Sequence, residues 1–403
     1  MSTSPLQGLR VLDLSKVLAG PICAQYLADM GADVIKVESP DGDETRAWPP
    51  FRVDAEGRRN GAIFLAANRN KRSLALDLRR PEGRDVVRRL AARSDVVIES
   101  FGPGVAARLG VDAETLHAAH PRLVCCRISG YGSVGPMRDG KGYDMVLQAF
   151  CGLTSMTGER DGPPVRAPYS PVDQATGAHA MGGILALLLE RHRTGRGGIV
   201  DASLFDTATA LASYYLQGLW IHGREPERSG SGHESLCPYQ AFDTADRPII
   251  LGVANDGLWQ RFCQAAGLQD WADRPGFATN AERVTRRAET VALVQAALRT
   301  RTRDDWLARL NDAGIPCSPL HSLGELASHP HTAASGMLRS HHDPRLGDWR
   351  SVAQPLRFDG ERSARAEAPP ACGADSEAVL REAGLSEAEI GRLRADGVLG
   401  AAG

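Results

Sequence analysis

Apolar and polar positions alternate in blocks through the first half of this chain. Short runs at 9–14, 33–38, 74–78, 95–99, 123–129 and 199–203 are mostly apolar and have the length of strands buried on both faces. Helical segments lie between them: 22–30, a helix opened by Pro81-Glu82-Gly83 and running to about 93, a short one around 106–109, and a long one after Asp173. Another helix is expected at 204–219. This alternation predicts a doubly wound α/β domain with a parallel sheet. The polar stretch 40–70, with Trp48 inside it, predicts a surface excursion over the open edge of that sheet. From Ala178 to Leu189 the chain is apolar almost all round a helix, which predicts burial.

The rhythm changes after 221. Residues 222–238 are rich in Gly, Ser and charge and predict a linker. Residues 239–320 predict a smaller α+β domain, with strands at 248–253 and 315–320 and helices at 257–266, 283–300 and 303–313. Residues 321–370 are punctuated by Pro, His and Gly and predict a return to the first domain, ending in two short helices at 375–383 and 386–396. The expected limits are thus 1–221 for the N-terminal part of the large domain, 222–238 for the linker, 239–320 for the small domain and 321–403 for the return linker and C-terminal part of the large domain.

Composition narrows the function classes. The 403 residues carry 47 Lys and Arg against 49 Asp and Glu, a formal charge of −2, which argues against a surface that coats nucleic acid. Eight cysteines are scattered with no CxxC pair and read as buried thiols in a reducing compartment. The first residues lack a basic segment followed by an apolar core, and the longest apolar run is too short to span a bilayer. A soluble, cytoplasmic protein without membrane contact is expected. His329, His331, His341 and His342 fall in a loop-like segment without metal-ligand spacing, so no metal is assigned.

Asp173 stands where an extended, proline-punctuated approach meets the apolar helix. Two readings fit. It caps the helix by accepting from the first amides, or those amides and the helix dipole keep it ionised and available as a nucleophile. Local pattern favours the cap. Glu38 ends the second strand where a nicotinamide enzyme keeps its ribose-binding acid, yet the preceding turn lacks GxGxxG. His179 reads as a satisfied core histidine. Gly230-Ser231-Gly232-His233-Glu234 matches neither GxSxG nor HExxH; its His233 is the polar candidate for an acyl pocket, and Trp48 either walls such a pocket or merely packs.

Read in order, LQGLRVLDLSKVLAGP, GADVIKVESPDGDETR, NRNKRSLALDLRRPEG, DVVIESFGPGVAARLG, GYGSVGP, GYDMVLQA, PVDQATG and TGRGGIVDASL carry a resemblance that spans nearly the whole chain. The sequence resembles the class III coenzyme A-transferases, the family of formyl-CoA transferase and carnitine CoA-transferase, with the α-methylacyl-CoA racemases as a divergent branch. The resemblance implies a Rossmann-like large domain built from both chain ends, a smaller domain between them, and a homodimer whose chains interlock like linked rings. It implies Asp173 as the catalytic carboxylate, acyl-CoA and a carboxylate acceptor such as a short dicarboxylate as substrates, and no cofactor beyond coenzyme A itself. The rivals are an acyl-CoA racemase or epimerase and a non-catalytic CoA-binding protein.

By the same match, CoA contacts are expected at Leu18, Ala19, Leu76, Leu78, Arg79, Phe101, Gly102, Arg108, Lys141 and Tyr143, with Arg79, Arg108 and Lys141 as the cations for phosphate. Three departures stand out. Ser39 and Ser100 replace an Arg and an Asn of formyl-CoA transferase. The glycine-run loop of that enzyme has no counterpart between 229 and 257. Tyr143 stands where the racemases have a histidine, which favours transfer over epimerisation. Backbone N–H groups at the start of the Asp173 helix are the expected oxyanion donors.

Overall fold

A computed structural model describes residues 4–400; residues 1–3 and 401–403, which the expected domain limits include, lie outside the described residues. The chain packs as two compact units. The first comprises the chain up to Leu153, Ala167–Gln217 and Ala333 onward, and the second Thr154–Arg166 with Gly218–Thr332. The small unit therefore takes 154–166, which the sequence reading leaves with the large domain, and it continues through 321–332.

The first unit is built on six parallel strands: β1 (Arg10–Leu14), β2 (Asp33–Glu38), β3 (Lys71–Ala75), β4 (Val96–Glu99), β5 (Val124–Ser129) and β6 (Gly198–Ser203). They lie in the order β3-β2-β1-β4-β5-β6, the doubly wound arrangement whose direction of progression reverses between β1 and β4. Its helices are α1 (Ala19–Asp29), α2 (Pro81–Ala91), α3 (Val105–Leu109), α4 (Ala113–Ala119), α5 (Asp144–Phe150), α6 (Pro171–Thr194) and α7 (Leu204–Leu211). Successive strand residues point to opposite faces. Leu12, Ile35, Leu74 and Val97 pack with α2 and α4, while Val11, Val34, Val96 and Ile98 pack with α1 and α6. Both faces are covered, which is why these strands read as apolar runs.

Three elements differ from the expected ones for physical reasons. β3 is Lys71–Ala75 rather than 74–78 because Lys71 sits inside the sheet, its Nζ 2.9 Å from Asp13. Residues 40–70 are not a surface excursion: they hold a short antiparallel hairpin (Phe51–Val53 with Arg59–Gly61) and a helical turn, and bury Arg46, Asn60, Phe64 and Asn68. The expected 204–219 helix breaks at Ala212, after which α8 (Ser213–His222) begins.

Buried charge pairs tie β1, β2 and β3 to one another and to the segment after β2. Asp13 pairs with Lys71, Lys36 with Asp43 at 3.0 Å, and Glu38 with Arg46 at 2.7 Å. Burial opposes the charge on Asp13, but Lys71 and Lys36 outweigh it and hold the carboxyl below its ordinary range. Glu38 also accepts from Ser73 Oγ, so the acid placed like a ribose ligand is already saturated.

Within the second unit, β7 (Tyr239–Phe242), β8 (Ile249–Gly252) and β9 (Cys317–Pro319) form an antiparallel sheet in the order β9-β8-β7. Trp259 and Phe262 of α9 (Asp256–Ala266), Leu298 of α10 (Arg287–Leu298) and Trp306 of α11 (Arg303–Asp312) fill its core. The expected 283–300 helix starts as a separate turn and restarts at Arg287. The break is at Arg286, whose φ −101° and ψ 36° leave the helical region, while Arg283 on the preceding turn is fully buried and donates to the carbonyls of Cys237, Phe277 and Ala278.

The C-terminal part of the first unit adds the hairpin β10 (Leu338–Asp343) and β11 (Gly347–Val352), then α12 (Ser376–Glu382) and α13 (Glu387–Ala395). His341 and His342 thus lie on a strand, not in a loop, and His331 lies on a short helix that His329 precedes. The outer edge of β3 is closed by the chain's end: Ser73 N–H donates to Asp375 at 2.8 Å, and Gly400 N–H to Ala75 O at 3.1 Å. No helix of the described residues is long and apolar enough to cross a membrane.

Candidate active site

α6 opens at Pro171, whose fixed φ and missing N–H suit a first helical position. Ser170 before it adopts φ 50° and makes no side-chain cap. The first amides go instead to another helix. Asp144, buried at the start of α5, accepts from Val172 N–H at 2.9 Å and Asp173 N–H at 3.2 Å. Gln148 donates to the same carboxylate and clamps Ala167 on both sides. Asp173 is therefore not the cap.

This changes the electrostatics of Asp173. Its half-buried carboxylate receives no hydrogen bond from the described residues, because the amides that would steady its charge are already taken. Burial, and then the charge on Asp144, push its pKa up from 3.8 to about 7. The expectation that helix amides keep it ionised is overturned, and so is the expected source of oxyanion donors.

Gly177 explains what Asp173 faces. A Cβ at 177 would lie 2.7 Å from Ala19 O and 3.3 Å from Cys23 N, so α6 meets the first turn of α1 backbone to backbone. Both helices cover the same sheet face as crossovers of parallel strands and so run the same way. Asp173 lies one turn ahead of Gly177 on the same side, which places it beside the 15–18 loop and the start of α1. α1 has no side-chain cap and no acid in its first turn, and among the described residues nothing accepts from the N–H of Ala19 or Gly20.

The 15–18 loop is strained and held. Val17, β-branched, has φ 69°. Ser15 N–H donates to Asp13 at 3.0 Å, Lys16 N–H to Ser100 Oγ at 3.1 Å and Val17 N–H to Asp43 at 3.4 Å, while Lys36 Nζ donates to Ser15 O at 2.8 Å. Three elements thus grip one loop.

A cavity of about 570 Å³ opens at the carboxyl ends of β1 to β4, where a doubly wound sheet binds ligands. Of the residues expected to contact coenzyme A, Leu76, Leu78, Arg79 and Phe101 line it. Leu18, Ala19, Gly102 and Arg108 do not, although Val105 and Leu109 on either side of Arg108 do. Arg79 is 86 % exposed and chelates Asp77 through two 2.9 Å bonds. Arg108 and Lys141 are exposed and free of partners among the described residues. Tyr143 is the N-cap of α5 and 56 % exposed. Trp48 is half-buried beside Gly61 and outside the cavity lining. His233, in the second unit, accepts from Ser235 N–H through Nδ1 and meets Tyr239 edge-on. His179 is exposed on α6, 3.2 Å from Thr207 Oγ1, and is not a core residue.

Sequence reasoning missed Asp144, Asp43 and Ser100 as supports of this region. Each acts on backbone amides across 26 to 84 positions, for which local pattern has no signal.

The chain is similar to proteins of known activity along its whole length. It is 36 % identical over 400 residues to succinyl-CoA:glutarate CoA-transferase of Mus musculus, covering 99 % of this chain and 91 % of that one. It is 40 % identical over 336 residues to succinate–glutarate CoA-transferase of Agrobacterium fabrum, covering 83 % and 84 %. Its fold superposes on the crystal structure of a CAIB/BAIF family protein from Brucella suis with a TM-score of 0.83 and 37 % identity, over 95 % of this chain and 100 % of that one. Residues 6–376 match the family described as CoA-transferase family III. With that match joined to the doubly wound fold and the cavity at its switch point, the chain belongs to CoA-transferase family III and is an enzyme of CoA transfer.

Proposed function

We propose that this enzyme moves coenzyme A between short dicarboxylic acids, with succinyl-CoA as donor and glutarate as an acceptor, and that Asp173 carries the acyl group covalently. The acids rest on the relatives named for succinate and glutarate. The observation that carries the residue is its carboxylate: unpartnered, poised near neutrality, and beside the uncapped start of α1.

The reaction runs in four balanced steps. Ionised Asp173 attacks the thioester carbonyl, the C–S bond breaks, and thiolate leaves with its electron pair to give a mixed anhydride. Thiolate then attacks the aspartyl carbonyl and expels the donor carboxylate, leaving an aspartyl-CoA thioester. The acceptor carboxylate displaces thiolate from that thioester, and thiolate finally attacks the acceptor's acyl carbon and frees Asp173. No net proton moves. The oxyanion of each tetrahedral stage falls to the N–H groups of Ala19 and Gly20, since those of Val172 and Asp173 serve Asp144.

The cavity at the β1–β4 ends is assigned to the nucleotide end of coenzyme A, with Arg79 on its lining and Arg108, between the lining residues Val105 and Leu109, for phosphate. The functional unit is an interlocked homodimer. Supporting this, α6 is not buried all round as its sequence predicts: Leu189 is 75 % exposed, and Met145, Phe150 and Tyr214 stand in solvent on neighbouring helices.

Trapping tests the chemistry. Protein incubated with succinyl-CoA and quenched with hydroxylamine or borohydride should carry a modified Asp173 by peptide mass spectrometry. Folded Asp173→Ala that retains transferase turnover, or wild type left unmodified at 173, refutes the assignment.

A further inference from the structure

Glu99 is a buried carboxyl group that the reaction above does not use. It is the last residue of β4, 4 % exposed, and lies in register between Leu14 on β1 and Arg127 on β5. A buried carboxylate normally pairs with a cation. This one does not: Arg127 gives its guanidinium to Glu114 at 2.9 Å and Asp201 at 3.0 Å, and its Nε is left buried without a partner. The one hydrogen bond that Glu99 receives among the described residues comes from the backbone N–H of Phe101, at 2.8 Å. Burial raises its pKa to about 7, with Phe101 N–H and Arg127 pulling the other way. A group this poorly compensated adds little to the stability of the fold.

A role for Glu99 is visible in what the Phe101 amide controls. Phe101 stands as an apolar wall of the 570 Å³ cavity, together with Val105 and Leu109 of the helix that follows. The residue between Glu99 and Phe101, Ser100, accepts from Lys16 N–H across the top of the sheet, and Ser15 and Lys16 line the same cavity. The 100–102 turn is thus the joint between the two loops that flank the switch point. Without an acceptor its leading amide is orphaned and the turn loses its only side-chain anchor on β4.

We propose that Glu99 is a positioning residue for coenzyme A: through Phe101 N–H it sets the 100–102 turn, and through that turn the width of the cavity between the β1 and β4 loops. This rests on the assignment of the cavity to coenzyme A. It concerns binding, not the acyl-transfer steps.

The test is calorimetric titration of free coenzyme A into wild type, Glu99→Gln, Glu99→Met and Ser100→Ala, with thermal melts and kcat at saturating succinyl-CoA alongside. Gln keeps a carbonyl acceptor for Phe101 and should bind within about threefold of wild type. Met keeps the length without an acceptor and should raise Kd about tenfold, the value of one hydrogen bond. Ser100→Ala, which leaves the core alone, should raise Kd about threefold on the same scale. The loss in Glu99→Met should appear in Kd and exceed any loss in kcat at saturating succinyl-CoA. Wild-type binding with Met and Ala variants equally tight overturns the proposal. So do equal losses in Gln and Met, which would mark Glu99 as structural only, or a kcat loss matching the Kd loss. Wild type that does not bind free coenzyme A at all overturns the cavity assignment, and this proposal with it.

Discussion

Replacing Asp144 by Asn should move the acid limb of the rate profile toward lower pH. Asp144 meets the Val172 and Asp173 amides with a charged oxygen, and that charge helps lift Asp173 from 3.8 to about 7. Burial is the larger cause, so the charge accounts for less than half of the rise. A share below half of that rise puts the expected displacement at about one pH unit. Asn keeps an oxygen for the two amides, although its NH2 then faces the Gln148 amide and should lower the melting temperature slightly. The sign follows from the proposed mechanism: if only ionised Asp173 attacks, activity climbs as pH rises through the pKa of the free enzyme. With a pKa near 7, about a tenth of the wild type is ionised at pH 6; with a pKa near 6, about half of the variant is. The assay is kcat/KM for transfer from succinyl-CoA to glutarate between pH 5 and 9, each protein scaled to its own plateau. An acid limb that stays put, or moves to higher pH, refutes the electrostatic account of this site.

Other expectations can be checked alongside. Because folding raises the Asp173 pKa, the folded state holds its proton more tightly than the unfolded chain, and stability is lost as pH rises from about 4 to 7. Asp173→Asn should therefore be more stable than wild type at pH 8 by about 1–3 kcal/mol in urea titrations and match it near pH 4; equal stability at pH 8 would be against this. Lys71→Met leaves Asp13 buried without its partner and should cost about 3–5 kcal/mol in urea titrations, whereas a loss under about 1 kcal/mol would show the pair to be dispensable. Gly177→Val drives a side chain onto Ala19 O and should cost about 1–3 kcal/mol and lower kcat with it, since α6 must move off α1. Arg108→Glu should weaken coenzyme A binding severalfold, most at low salt; unchanged affinity in calorimetry would remove Arg108 from the phosphate site.

Strands sandwiched between helices announce themselves as apolar runs, so β1, β2, β4, β5 and β6 were legible within a residue or so. β3 was displaced because charged Lys71 and Arg72 look like loop, and only their acidic partners, 58 and 39 positions away, make them strand residues. Residues 40–70 misled for the same reason, since Arg46 and Asn68 are polar but paired inside. At the site, the place of Asp173 in the first turn of the long apolar helix was readable from the sequence, but its electrical state was not. That depends on Asp144 arriving from another helix, and the two amides it takes lie on backbone, where side-chain pattern has nothing to show.

The large unit is stitched shut by the end of the chain. Its outermost strand, β3, is completed only when residues 373–400 return to it, and the whole second unit is encoded in between. During synthesis the roughly 180 residues after Gln217 take on the order of 10 to 40 s to emerge. For that interval the nascent sheet presents an unpaired rim on the ribosome while the small unit is free to mature. Truncation just before Asp375 leaves that rim bare and should turn a dispersed product into an aggregating one.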